Sequence, residues 1–261
     1  MSVIFDIKNL SFSYSSRENK VLDGVNLQIA EGDVLSILGR NGAGKSTLLN
    51  CMLGLLKPQS GDISLLGNSL KGLSERKIAS IVGYVPQTHI PTFGHTVFDF
   101  VQMGCASRIG LFSHPGKKEH EYTAIALFEL GIESLSDRPY TELSGGERQQ
   151  ATIARAIVAK PRIVLFDEPT AHLDVGNQLR VLKIIKHLSN KGFAVVITTH
   201  NPDHAMLLGG RAAILDRHGH ITSGTTEDIL TEDSLKSVYG TDLKLKYIEE
   251  FGRKVCVYPN L

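Results

Sequence analysis

Gly39-Arg40-Asn41-Gly42-Ala43-Gly44-Lys45-Ser46-Thr47 follows the apolar stretch Val34-Leu35-Ser36-Ile37-Leu38. The stretch before it has the pattern of a buried strand, and a helix is expected to begin near Lys45. The three glycines let the backbone turn tightly enough to aim its N–H groups at one point. The helix adds the positive end of its dipole there, so the loop is built to hold an anion. The G-x-x-x-x-G-K-[ST] spacing narrows that anion to a nucleotide's phosphates. Lys45 would reach the β- and γ-phosphates, and the Ser46 hydroxyl would be a ligand to Mg²⁺.

The totals narrow the setting. With 261 residues, 42% of them hydrophobic, the chain can bury the core of one large domain. A formal net charge of +1 gives no global basic excess, so capture of nucleic acid is not expected. Cys51, Cys105 and Cys256 are odd in number and show no C-x-x-C spacing, which speaks for a reducing compartment and against a zinc site. The first residues lack a basic region followed by an apolar core, and no segment approaches the ~18 uninterrupted apolar residues of a membrane span. Residence in the cytosol is expected, with any work at a membrane done by docking on other chains. Of the ten histidines, His89, His95, His114, His120, His187, His204, His218 and His220 show no metal-ligand register. His218 and His220 flank Gly219 where a surface hairpin turn is expected.

Alternation in Ile4-Phe5-Asp6-Ile7 and Val25-Asn26-Leu27-Gln28-Ile29 predicts antiparallel strands over the first thirty residues, broken by a polar turn from Ser15 to Lys20. A short strand is expected at 62–66. Buried strands are expected at 81–84, 163–166 and 193–198, with helical stripes at Ile153, Ala154, Ile157 and Val158 and at Leu182, Ile185 and Leu188. Strand and helix alternate, which implies a parallel α/β sheet. Residues 96–132 read as a helical insert, 211–216 as the last sheet strand, and 243–247 with 254–258 as a small C-terminal β-ribbon.

A second glycine-centred turn, Leu143-Ser144-Gly145-Gly146-Glu147-Arg148-Gln149, precedes an amphipathic helix. Ser144 is a natural N-cap, and the paired glycines are expected to leave N–H groups uncovered for a phosphate. The strand Ile163-Val164-Leu165-Phe166 ends in Asp167-Glu168, where the sheet's carboxyl edge should open on a ligand crevice. Asp167 suits Mg²⁺, directly or through water, and Glu168 can polarise a water for attack on the γ-phosphorus.

In this order the motifs resemble those of the ATP-binding-cassette (ABC) ATPases, from about Val3 to Asp216. Gly39 to Thr47 resembles Walker A, Gln87 the Q-loop, Leu143 to Gln149 the signature motif and Ile163 to Glu168 Walker B. Asp174 resembles the D-loop residue, His200 the switch histidine, and Tyr14 the aromatic that stacks on adenine. The resemblance implies an α/β P-loop NTPase core of ABC type, with an antiparallel β subdomain and a helical insert. It places one ATPase domain at 1–240, the insert at about 88–160 and a C-terminal β extension at 241–261. ATP would be held by Tyr14, by Gly39, Arg40, Asn41, Gly42, Ala43, Gly44, Lys45, Ser46 and Thr47, and by Ser144, Gly145 and Gly146 of a second subunit. Mg²⁺ would be held by Ser46, Gln87 and Asp167, and Glu168, His200, Lys45 and Gln87 would act in hydrolysis. Arg40 departs from the proline many members have, and Ala171-His172 from the frequent Ser-Ala.

The same resemblance implies a head-to-tail homodimer around two ATPs. It would dock on integral-membrane permease subunits at the cytoplasmic face of the cell (inner) membrane, with a substrate-binding protein as an indirect partner. Residues 96–104 with Gly110-Leu111-Phe112 resemble the iron-siderophore, haem and cobalamin uptake subfamily. Zinc or manganese importers have similar ATPases, and a soluble ABC ATPase acting on ribosomes or DNA is the rival from another class. The tandem cassettes or long coiled-coil arms usual in that rival do not occur here.

Overall fold

A computed structural model describes residues 2–15, 20–88, 94–110 and 113–258 of the chain. His89 lies outside these residues, as do Leu111, Phe112 and most of the expected turn from Ser15 to Lys20.

The alternating N-terminal stretches form strands β1 (Val3–Phe12) and β2 (Leu22–Ala30), paired antiparallel. The core sheet is entered at β3 (Val34–Leu38), which feeds α1 (Lys45–Met52) through the glycine loop. The chain then returns through β4 (Ser60–Leu65) and β5 (Asn68–Ser69), completing a four-stranded antiparallel sheet in the order β2-β1-β4-β5. After α2 (Glu75–Ala79), strand β6 (Val82–Val85) rejoins the core sheet.

The expected helical insert contains α3 (Val97–Gln102) and α4 (Lys117–Glu129), followed by α5 (Gly145–Ile157). Then come β7 (Ile163–Phe166), α6 (Val175–Asn190), β8 (Ala194–Thr199), α7 (Pro202–Leu208) and β9 (Arg211–Leu215). All residues of β7 and β8 are buried, as expected of parallel strands covered on both faces.

One expectation fails at the sheet's edge. Strand β9 is not the last: β10 (Ile221–Thr225) pairs with it antiparallel, across the turn that holds His218 and His220. Its sequence, Ile-Thr-Ser-Gly-Thr, carries one apolar side chain because an edge strand open to water needs no apolar face there. The six-stranded order is β10-β9-β3-β8-β7-β6, parallel from β9 through β6. Helices α8 (Thr226–Ile229) and α9 (Glu232–Tyr239) follow, then the ribbon β11 (Lys244–Ile248) and β12 (Arg253–Val257).

The core divides by sheet face. Phe5, Ile7 and Ile29 pack with Leu48, Met52 and Leu165 between the antiparallel layer, α1 and the core sheet. Phe100, Tyr140, Ile153, Ile157, Leu182 and Ile185 pack with Val164 and Phe166 beneath α3 to α6. The stripes expected on α5 and α6 are therefore the faces buried.

Candidate nucleotide site

Parallel strands put all their carboxyl ends on one edge, where ligand crevices form. The neighbours β3, β8, β7 and β6 deliver to that edge the glycine loop, His200, Asp167 with Glu168, and Gln87 in turn. Segments more than a hundred residues apart in the chain thus meet through sheet order alone.

The N-cap of α1 is Gly44, at φ 99°, with no side-chain cap bond. A Cβ at Gly44 would meet Val21 Cγ1 at 2.8 Å, so conformation and space both require glycine. Arg40, Asn41 and Gly42 are exposed, Ala43 and Ser46 half-buried, and Thr47 buried. Among the described residues, α1 is the only α-helix that begins with neither a side-chain cap bond nor an acidic first turn. Its N–H groups and dipole are left for an external anion.

Lys45 is 4% exposed. Its ammonium donates to the carbonyls of Gly39 at 2.8 Å and Arg40 at 3.1 Å, and pairs with Glu168 Oε1 at 2.9 Å. An ammonium has three N–H donors, and all three are engaged. Glu168 Oε2 lies 3.0 Å from His200 Nδ1, so one carboxylate bridges lysine and histidine. Burial pushes the pKa of Glu168 up, but Lys45 and then His200 outweigh it and hold the carboxyl below its ordinary value. Glu168 also sits at φ 42°, a left-handed backbone that costs a non-glycine residue about 1–3 kcal/mol and is held by the surrounding structure. The Glu168 N–H donates to Thr198 Oγ1 at 2.9 Å.

Asp167 is 3% exposed, and its Oδ1 accepts from the Thr198 hydroxyl at 2.7 Å. Tyr84 also bonds this carboxylate; burial and the Asp167 charge push its phenol up to about 12. The oxygen donors fit Mg²⁺, a hard cation usually held by one or two carboxylates together with substrate phosphates and water.

Tyr14 is 63% exposed, its hydroxyl 2.9 Å from Thr47 Oγ1 and its ring edge-on to Phe12. An open aromatic ring is thereby fixed beside the start of α1. Gln87 is exposed at the end of β6, and among the described residues no hydrogen bond ties its amide to Lys45, Asp167 or Glu168.

Ser144 caps α5 as expected, but the turn is less open than its glycines suggest. The Ser144 N–H and hydroxyl both donate to Glu147 Oε2, at 2.9 and 2.7 Å, while the Glu147 N–H donates back to Ser144 Oγ at 3.4 Å. Ser144 and Gly145 are exposed, and Gly146 is buried so closely against Asn177 that any Cβ would collide with it. Asn177 is in turn held by Asp174, the N-cap of α6. Among the described residues no hydrogen bond or ion pair joins Ser144, Gly145 or Gly146 to the α1 loop of the same chain.

The sequence motifs contain Thr198, Tyr84 and Glu147 but assign them no role at the site. Only Glu147 left a usable signal, the S-x-x-E spacing of a capping box. His204 is buried among Thr170, Thr199 and Asn201, and desolvation, then His200, keeps its pKa low.

The chain matches the family model described as ABC transporter over residues 22–171. It is 34% identical to the molybdate import ATP-binding protein MolC of Haemophilus influenzae, covering 92% of this chain and 89% of that protein. It is 32% identical to a Helicobacter pylori protein described as an iron chelatin transport ATP-binding protein, covering 98% and 99%. Among solved structures it resembles, with a TM-score of 0.86 and 31% identity over 99% of this chain and 98% of the other, an ABC transporter described as of metal-chelate type in an inward-facing conformation. The chain belongs to the ABC transporter family: it is an ATP-binding subunit, an ATPase coupled to transport.

Proposed function

We propose that this subunit powers an importer of metal chelates, of the iron-siderophore, haem or cobalamin kind, through separate permease subunits at the cytoplasmic face of the membrane. The observation that carries the chemistry is the single carboxylate of Glu168 held between Lys45 and His200 at the sheet edge. A nucleotide's γ-phosphate is an anion that can replace Glu168 on Lys45. The freed carboxylate then takes the proton of an attacking water, and His200 hydrogen-bonds the phosphate. Ser46, Gln87 and Asp167 would hold Mg²⁺, which when bound neutralises charge on the β- and γ-phosphates. Tyr14 offers its open ring to adenine.

Among the described residues no hydrogen bond or ion pair ties Ser144, Gly145 or Gly146 to their own α1 loop, which supports a head-to-tail homodimer in which they close on ATP held by a second copy. Residues 1–240 would be the cassette, with its insert at about 88–160, and 241–261 an extension. The chelate assignment rests on the iron chelatin relative and the metal-chelate type transporter; the molybdate relative marks the competing cargo class. None of these cargoes touches the ATPase, so the test belongs in cells.

Cells lacking this chain should lose uptake of radiolabelled cobalamin, haem or an iron-siderophore. The chain should restore it and its Glu168→Gln variant should not. Loss of molybdate, manganese or zinc uptake instead would overturn the chelate assignment. Intact uptake of all of them, with the chain purifying on ribosomes or DNA, would overturn import.

A further inference from the structure

His200 lies one residue beyond the end of β8, so its carbonyl is outside the sheet's hydrogen-bond ladder. A residue 39 positions away supplies the donor: the hydroxyl of Tyr239, at the last turn of α9, donates to the His200 carbonyl at 2.8 Å. Three residues on from His200, Asp203 Oδ1 accepts the N–H of Cys256 in β12 at 3.0 Å, with Arg253 at 3.9 Å. The loop carrying the histidine is thus held twice by the C-terminal segment.

That segment is itself braced. Leu235 and Val238 of α9 are buried, and Leu235 packs with Leu38, Ala205 and Leu243. Glu232 of α9 accepts from Lys244 at 2.8 Å and from the Leu245 N–H at 3.0 Å, tying helix and ribbon together across residue 240. Leu38 immediately precedes the glycine loop and Ala205 lies in α7, so the brace rests on the two elements that flank the site.

We propose that Tyr239 is a positioning residue for hydrolysis, acting through His200, and that α9 with the ribbon is the support that holds it in place. The inference rests on His200 having the role proposed above. The His200 imidazole is half exposed and has little packing of its own to fix it, so its approach to Glu168 depends on the orientation of its peptide. Anchoring the carbonyl restricts that peptide, and small misplacements of a reacting group are expensive in rate. Burial, with the Cys256 thiol and the Glu168 carboxylate nearby, pushes the Tyr239 phenol well above its ordinary pKa, so the hydroxyl keeps the proton it donates.

Tyr239→Phe in the full-length chain removes the hydroxyl and leaves the ring in its packing. Losing one hydrogen bond of ordinary strength should lower kcat about five-fold, with the KM for ATP and the Tm little changed. Amide hydrogen exchange across residues 199–203 should speed up by a similar factor. In a His200→Ala background, followed by single-turnover hydrolysis of radiolabelled ATP, the same substitution should have no further effect.

An unchanged kcat with unchanged exchange would overturn the proposal. So would an equal loss of rate in the His200→Ala background, or a rise in KM with kcat intact. Ordinary turnover in the His200→Ala chain would strike the role of His200 and not the tether, which the exchange measurement decides alone.

Discussion

The two glycine turns of this chain differ in what completes them. At α1 the N-cap is a left-handed glycine, no side chain closes the turn, and the first turn carries Lys45 in place of an acid. At α5 the N-cap is Ser144, and Glu147 folds back to accept from both its N–H and its hydroxyl. The first helix is left incomplete by its own residues, and the second completes itself. A glycine-rich helix start is therefore not by itself an open anion site; what matters is whether the chain supplies its own carboxylate. At α1 the carboxylate that does arrive, Glu168, comes from another strand and binds the lysine rather than the helix N-terminus. That leaves the backbone cradle intact and puts the competition with phosphate on one side chain.

The largest expected effect tests that competition. Glu168→Gln should lower turnover about 10²–10⁴-fold, the usual range for a lost general base. It should also tighten ATP binding several-fold, because Lys45 no longer has an anionic partner to exchange. Single-turnover hydrolysis and equilibrium binding of ATP would measure the two effects. Weaker binding in the variant would show that Glu168 does not compete for the lysine.

The second prediction uses the contrast between the turns directly. Ser144→Arg should leave ATP binding by a single chain unchanged, because among the described residues no hydrogen bond joins Ser144 to the α1 loop. Turnover and ATP-dependent dimerisation should fall on the order of 10²-fold, as when a group that contacts the transferring phosphate is lost. Gel filtration with ATP and a steady-state assay would show it. Intact turnover with normal dimerisation would mean that the two turns do not meet across an interface.

What could be read beforehand follows the range of the interactions. The α1 loop, the acids after β7 and the cap at Ser144 are local: each needs particular residue types within a few positions, and sequence order displays them. The buried runs at β7 and β8 announced a parallel sheet because both faces are covered, whereas β10 is an edge strand with no such need for apolar residues. Thr198 holds Asp167 from 31 residues away, and Tyr239 reaches His200 from 39. A threonine at the end of an apolar strand or a tyrosine at the end of a helix is ordinary until the fold brings its partner to it. Glu147 is a different case. Its spacing from Ser144 was visible, but the glycines between them drew the reading toward an uncovered turn.

The smallest effect isolates that closure. Glu147→Gln keeps the shape of the capping box and removes its charge, so the helix start should lose about 1 kcal/mol or less of stability near neutral pH. The Ser144 N–H and hydroxyl hold the Glu147 carboxyl below the ordinary glutamate value of 4.5. A depressed folded-state pKa means that the unfolded chain takes up the proton first. The stabilisation is then fully present above pH 4.5 and is lost as pH falls through the lower, folded-state value. Denaturant unfolding of the nucleotide-free protein and the variant should therefore differ near pH 7 and converge on acidification. The exposed position and the salt-screened neighbour Arg138 keep the effect small. A gap that persisted at acid pH would mean that the glutamate supports α5 by packing, and that the α5 turn is closed by shape rather than by its own charge.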